Sequence, residues 1–147
     1  MKEQFVSYEI AKILKEKDFN EPCIAAYLDT SYKLEIIGQS DFFNIAVPSG
    51  VIFNENITKN TIAVPLYQQV IYWFVKEHDI EIKIERHLNY PNQGWIGRLN
   101  YYKKDGIGVY HLFNIDVYPR WDRGVYECGT YMECINECIK EAIKILK

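Results

Sequence analysis

The densest group of residues able to do chemistry is Tyr118-Pro119-Arg120-Trp121-Asp122-Arg123-Gly124, which brings two guanidiniums, an indole and a carboxylate together. Arg120 and Arg123 are suited to clamp a phosphate or carboxylate, because a guanidinium is a planar fork that meets such oxygens in pairs. Trp121 would then stack on a ring. The plainer reading is an ion pair between Asp122 and a neighbouring arginine, with Trp121 closing the end of a sheet. Trp95 and Arg98, which follow the turn that begins at Tyr90, form a second and similar pair. They either line a site beside the first segment or close a hairpin. Arg and Trp are residue types that dominate binding hot spots, so these six (Arg120, Trp121, Asp122, Arg123, Trp95 and Arg98) are the candidate binding residues.

Cys134 and Cys138 stand one helical turn apart, with Cys128 just upstream. Two thiolates at that spacing can share a metal ion. Both, however, fall inside an apolar helical arc, where cysteine packs as a small hydrophobe. No CxxC pair and no HExxH is present, so the core reading is preferred and no metal is expected. His111 falls on the apolar side of a strand pattern, His78 at a helix end and His87 at a strand end. None is flanked by a nucleophile elbow or a matched acid. Phosphate-binding glycine loops of the GxGxxG or GxxxxGK[ST] kind are absent, and no cofactor is expected. Nothing in the sequence supports catalysis.

The elements that must carry these residues follow from periodicity. Ser7 is a candidate N-cap for an amphipathic helix over Tyr8–Lys17, with Ile10, Ile13 and Leu14 on one face and a left-handed close at Asp18. Cys23–Leu28 and Lys33–Ile37 suggest a hairpin across Asp29-Thr30-Ser31. Ile45–Val47 and Val51–Phe53 suggest two further short strands, followed by a polar loop with Asn54, Asn56 and Asn60. Pro65 opens a second helix that runs to His78. Its apolar arc is unusually wide, because Leu66 and Trp73 extend the stripe of Tyr67, Val70, Ile71, Phe74 and Val75. Such a helix is either enclosed or partly used against another chain.

The period then changes from helical to two. Ile80, Ile82 and Ile84 alternate with Glu81, Lys83 and Glu85; Trp95–Tyr102 returns; and Val109–Val117 alternates again, which predicts a meander. The last helix carries the strongest pattern. Thr130 and Glu133 form a capping box, and Tyr131, Cys134, Ile135, Cys138, Ile139, Ala142, Ile143 and Leu146 fill one half of its wheel. The expected fold is α+β. It has an antiparallel sheet, made of a meander of at least three strands plus short N-terminal strands, with about three helices on one face.

The 147 residues fit one domain with a core of its own, and no linker or repeat divides them. A net charge of −3 does not draw the chain to a phosphate backbone, so nucleic-acid binding is not expected. No apolar run suggests a membrane span or a secretory leader. The expected setting is therefore a reducing cytoplasm, with free thiols. The 12 tyrosines, 7 phenylalanines and 3 tryptophans are more than a core of this size requires, which points to a binding surface.

Ser7–Pro22 (SYEIAKILKEKDFNEP), Ala63–Ile80 (AVPLYQQVIYWFVKEHDI) and the closing helix resemble a family of small hypothetical proteins. Phages and integrated elements of Bacteroides-type gut bacteria encode them. The resemblance covers about a third of the chain and departs from the family at Asp18, where the family carries Gly. It implies a phage or mobile-element accessory protein and assigns no chemistry. The functional expectation is a non-enzymatic protein that binds a host protein or a small ligand, as a homo-oligomer through Leu66 and Trp73. The alternative is an enzyme on a nucleotide or other phosphorylated small molecule, with His87 or His111 as base and Arg123 as anion clamp.

Overall fold

A capped turn starts the first helix, α1 (Tyr8–Glu16), and a left-handed residue stops it. Ser7 Oγ accepts the Ile10 amide at 3.4 Å. At the other end Asp18 has φ +62°, its amide reaches the Lys15 carbonyl and the Phe19 amide reaches that of Leu14. That is a Schellman close, built on Asp where Gly is usual. The computed structural model describes residues 2–28, 33–37, 50–58, 60–86, 95–104, 110–117, 121–122, 125–126 and 130–146. The chain groups into two compact units, Met1–Val70 and Ile71–Lys147.

In the first unit, β1 (Ala25–Leu28) lies between β2 (Lys33–Ile36) and β3 (Thr61–Ala63), antiparallel to both. The hairpin expected from the sequence pairs Ala25 with Ile36 and Leu28 with Lys33. β3 was not foreseen. The expected strand at Val51–Phe53 reduces to one bridge between Ile52 and Cys23, and Ile45–Val47 lies outside the described residues. Ile10, Ala11 and Leu14 of α1 are buried with Phe5, Val6, Phe19, Ile36 and Ile62. Tyr8 meets Tyr27 edge-on at 5.5 Å, and Lys15 Nζ donates to the Thr61 carbonyl at 2.8 Å, so α1 is tied to the sheet at both ends. Asn54 joins two segments: Nδ2 donates to the Phe19 carbonyl at 2.8 Å and Oδ1 accepts the Ala63 amide at 3.1 Å. Gln69 does similar work, donating to the Pro22 carbonyl at 2.7 Å.

The second helix, α2 (Tyr67–His78), begins in the first unit and ends in the second. The residue after it, Asp79, is again left-handed at φ +54°. The second unit contains the expected meander, with β4 (Ile80–Arg86), β5 (Trp95–Lys104) and β6 (Tyr110–Val117) in that spatial order. The register runs unbroken from Ile80↔Tyr101 to Arg86↔Trp95 and from Gly97↔Val117 to Lys104↔Tyr110. Next comes a short antiparallel pair, β7 (Trp121–Asp122) with β8 (Val125–Tyr126), in a stretch where the periodicity suggested no strand.

The last helix, α3 (Tyr131–Ile145), begins with both capping-box bonds in place. Glu133 Oε2 accepts the Thr130 amide at 2.8 Å, and Thr130 Oγ1 accepts that of Glu133 at 3.3 Å. Its buried face is Cys134, Ile135, Cys138, Ile139, Ala142 and Ile143. It packs across β4, β5 and β6. The architecture is thus α+β and antiparallel, with three α-helices among the described residues. Among those residues no helix is long and apolar enough to cross a membrane.

Candidate functional site

Alternation along the meander sorts its residues onto two faces. Trp95, Gly97, Leu99 and Tyr101 of β5 share a face with Ile80, Ile82 and Ile84 of β4. This is the face under α3. A Cβ added at Gly97 would collide with Cys138 Sγ and lie 3.3 Å from Cys134 Sγ, so the helix can approach only because residue 97 has no side chain. Trp95 belongs here too, edge-on to Tyr131 in the first turn of α3 at 5.1 Å.

The opposite face carries Glu81, Lys83 and Glu85 on β4 and Arg98, Asn100 and Tyr102 on β5. Ile96 has the same parity but is buried, so the open stretch begins at Arg98. Arg98 donates to Glu85 at 2.9 Å, Asn100 donates to Glu81 at 2.9 Å, and Lys83 sits 3.0 Å from Glu81. The Asn100 amide, aided by Lys83, holds the Glu81 carboxyl below its ordinary range. The register sets Asn114 and Asp116 of β6 opposite Asn100 and Arg98. Tyr102 stands beyond these pairs, 58% exposed. Exposed ion pairs of this kind contribute at most about 1 kcal/mol each to stability. Their effect on this face is to fix its side chains in place.

Trp95 and Arg98 were expected to act together, yet they point to opposite faces, since three residues along a strand reverse the side. Arg98 is on the open face and Trp95 is packed against α3. Trp121 and Asp122 form β7. Arg120, Arg123, His87 and Cys128 lie outside the described residues. His111 is placed opposite Lys103 by the β6 register. Trp73 is only 4% exposed, edge-on to Phe74 and to His78, and Leu66 is half-buried in a bridge to Phe5. The exposed large apolar residues of α2 are instead Tyr72 and Val75.

The thiols behave as core groups. Cys23 is fully buried, and desolvation with the nearby Glu21 charge pushes its thiol up to about 12. Cys134 and Cys138 hydrogen-bond to each other. Cys138 is held protonated by that bond and by burial, and the same bond lowers the thiol of Cys134. Sequence reading overlooked Asn100 and Tyr102. The signal was available, because Arg98, Asn100 and Tyr102 alternate with Gly97, Leu99 and Tyr101 and so share one face. No protein-family model matches the chain, and neither a curated protein nor a solved structure matches it.

Proposed function

We propose that the chain is a non-enzymatic accessory protein of a phage or mobile element. It binds a host protein through the open face of the β4–β5–β6 meander. The observation that carries the binding part is Tyr102, largely exposed on the central strand beside an Arg98 already fixed by Glu85. Tyr and Arg are the residues that most often supply binding energy at protein interfaces. Tyr does so at low entropic cost, having only two side-chain torsions. Arg98, Asn100 and their carboxylate partners are held on rigid strands before any partner arrives, which lowers the cost of ordering them on binding. A sheet face offers area rather than the enclosure a small ligand needs, so a protein partner suits it better. The genetic origin, and with it the bacterial cytoplasm as workplace, rests on the resemblance of Ser7–Pro22, Ala63–Ile80 and the closing helix.

The test is affinity capture from lysate of a gut bacterium of that type, with tagged wild type beside Arg98→Ala/Tyr102→Ala. The double variant is expected to lose the captured protein at least about tenfold, since two hot-spot residues are removed together. Its circular dichroism should remain that of the wild type. Lys140→Ala on the outer side of α3 should capture normally. Equal capture by the double variant would refute the assignment of this face.

A further inference from the structure

We infer that the free edge of β4 pairs antiparallel with β4 of a second copy, in a register that places Ile82 on the twofold axis. Among the described residues the strand order β4-β5-β6 gives Ile80–Glu85 a strand partner on one side. Among the described residues no backbone group outside β5 bonds Ile80–Glu85. Edge strands are ordinarily guarded by being short, by a bulge or by a proline. β4 has none of these guards: it is 7 residues long, its register with β5 has no interruption, and it contains no proline.

Among the described residues the guard that β4 does carry is charge, and the charges alternate in sign. Their effect therefore depends on register. With Lys83 on the axis, Lys83 meets Lys83 and Glu81 meets Glu85, so each meeting of two charges repels, and Ile80 is set opposite Arg86. With Ile82 on the axis, Glu81 meets Lys83 of the other copy, twice by symmetry. Ile80 then meets Ile84, which is half-buried within one chain and gains cover. The like-charged meeting, also made twice, is between Glu85 and Asp79, which stands before the strand in a left-handed turn. With Ile84 on the axis, Lys83 meets Glu85 but Ile82 is set opposite Arg86, an apolar–charged mismatch. Opposite charges and apolar pairs directly across strands are favourable and like charges are not, so the Ile82 register is selected.

At the level of Gly97, α3 leaves room for this pairing. A twofold axis perpendicular to the sheet puts both α3 helices on the same face. Each has Cys138 above Gly97 of β5. The two β5 strands would lie three strand spacings apart, about 14 Å, against the 8–10 Å that packed helices need. The β6 edge offers no such match, because Asp116 is the only formal charge on its open-face positions. The paired sheet would have six strands and carry two copies of the Arg98–Tyr102 face. The pairing does not depend on what that face binds.

The experiment is sedimentation velocity on the full chain from about 1 to 100 μM, concentrations spanning ordinary reversible dimers. Wild type should populate a dimer. Lys83→Glu should weaken it roughly tenfold or more, because two attractive contacts become repulsive. The charge swap Glu81→Lys/Lys83→Glu should restore it, since each exchanged side chain would again face its opposite charge across the axis. Amide hydrogen exchange gives a second reading on wild type alone, with slower exchange in β4 at high concentration than at low. A wild type monomeric throughout overturns the inference. So does a dimer unmoved by Lys83→Glu, which would place the contact elsewhere. Failure of the double swap to restore a folded Lys83→Glu chain overturns the Ile82 register.

Discussion

His78 closes α2 with its ring 4.4 Å from that of Trp73, edge-on, and its Nε2 is buried with no hydrogen-bond partner among the described residues. Burial lowers its pKa from the ordinary histidine value, and the Glu77 charge only partly opposes this. Above about pH 6.5 the ring is neutral in folded and unfolded chains alike, and the stability is fully present. As pH falls below that value, the unfolded chain takes up the proton first, so stability declines through the folded pKa. Urea unfolding should therefore give a lower free energy at about pH 5.5 than at about pH 7.5. His78→Phe, which keeps the aromatic contact, should reduce that difference. An undiminished difference in the variant would assign the pH dependence to other groups. The sequence placed His78 at a helix end, where the dipole favours the charged form. Its burial beside Trp73 decides the other way, and single-residue burial is not written in periodicity.

At the scale of elements, the most demanding contact is that between α3 and β5. Gly97→Ala should destabilise the chain by about 1–3 kcal/mol, the usual range for overpacking a closed site. Cys138→Ala removes the sulfur that the new methyl would strike and leaves Cys134 Sγ at 3.3 Å. The double variant should therefore be more stable than the sum of the two single changes predicts, by about 1 kcal/mol in a double-mutant cycle from urea unfolding. Strict additivity would mean the helix simply shifts. Elements with long periodic patterns were legible in advance: α3 from its unbroken wheel and capping box, β4 from Ile-x-Ile-x-Ile, and the end of α1 from Asp18. β3 was not, because three residues are too few to show a period. β7 and β8, with two residues each, escaped for the same reason. Gly97 did carry a signal, since a glycine within a strand pattern marks close approach of another backbone or side chain. Only the packing shows that the approaching group is Cys138.

For the whole molecule, each compact unit holds buried thiols of its own: Cys23 in the first, Cys134 and Cys138 in the second. All three are enclosed, which keeps reagent away, and Cys23 and Cys138 are also held protonated, whereas the thiolate is the nucleophile. Native protein treated with a thiol reagent at about pH 8 should therefore label at most at Cys128, and all four cysteines should label in denaturant. Peptide mapping at intermediate urea then reads the opening of each unit separately. Rapid labelling of Cys23 in native buffer would contradict its enclosure. The candidate binding face was half legible at this scale: Arg98 was singled out from the sequence, but its neighbours come from strand register, which a linear reading assigns only once the pairing is known.

Asp18 and Asp79 narrow the range of sequences that this chain can explore. Both hold positive φ, a backbone state that only Gly, Asn and Asp visit routinely. Drift among those three should cost little. Asp strains the native turn slightly more than Gly, but it has less backbone freedom to lose on folding. A β-branched residue at either point would meet a steric barrier that no distant substitution relieves. Two positions outside the proposed binding face are thus among the least free to vary, and an invariant small polar residue there would record backbone geometry.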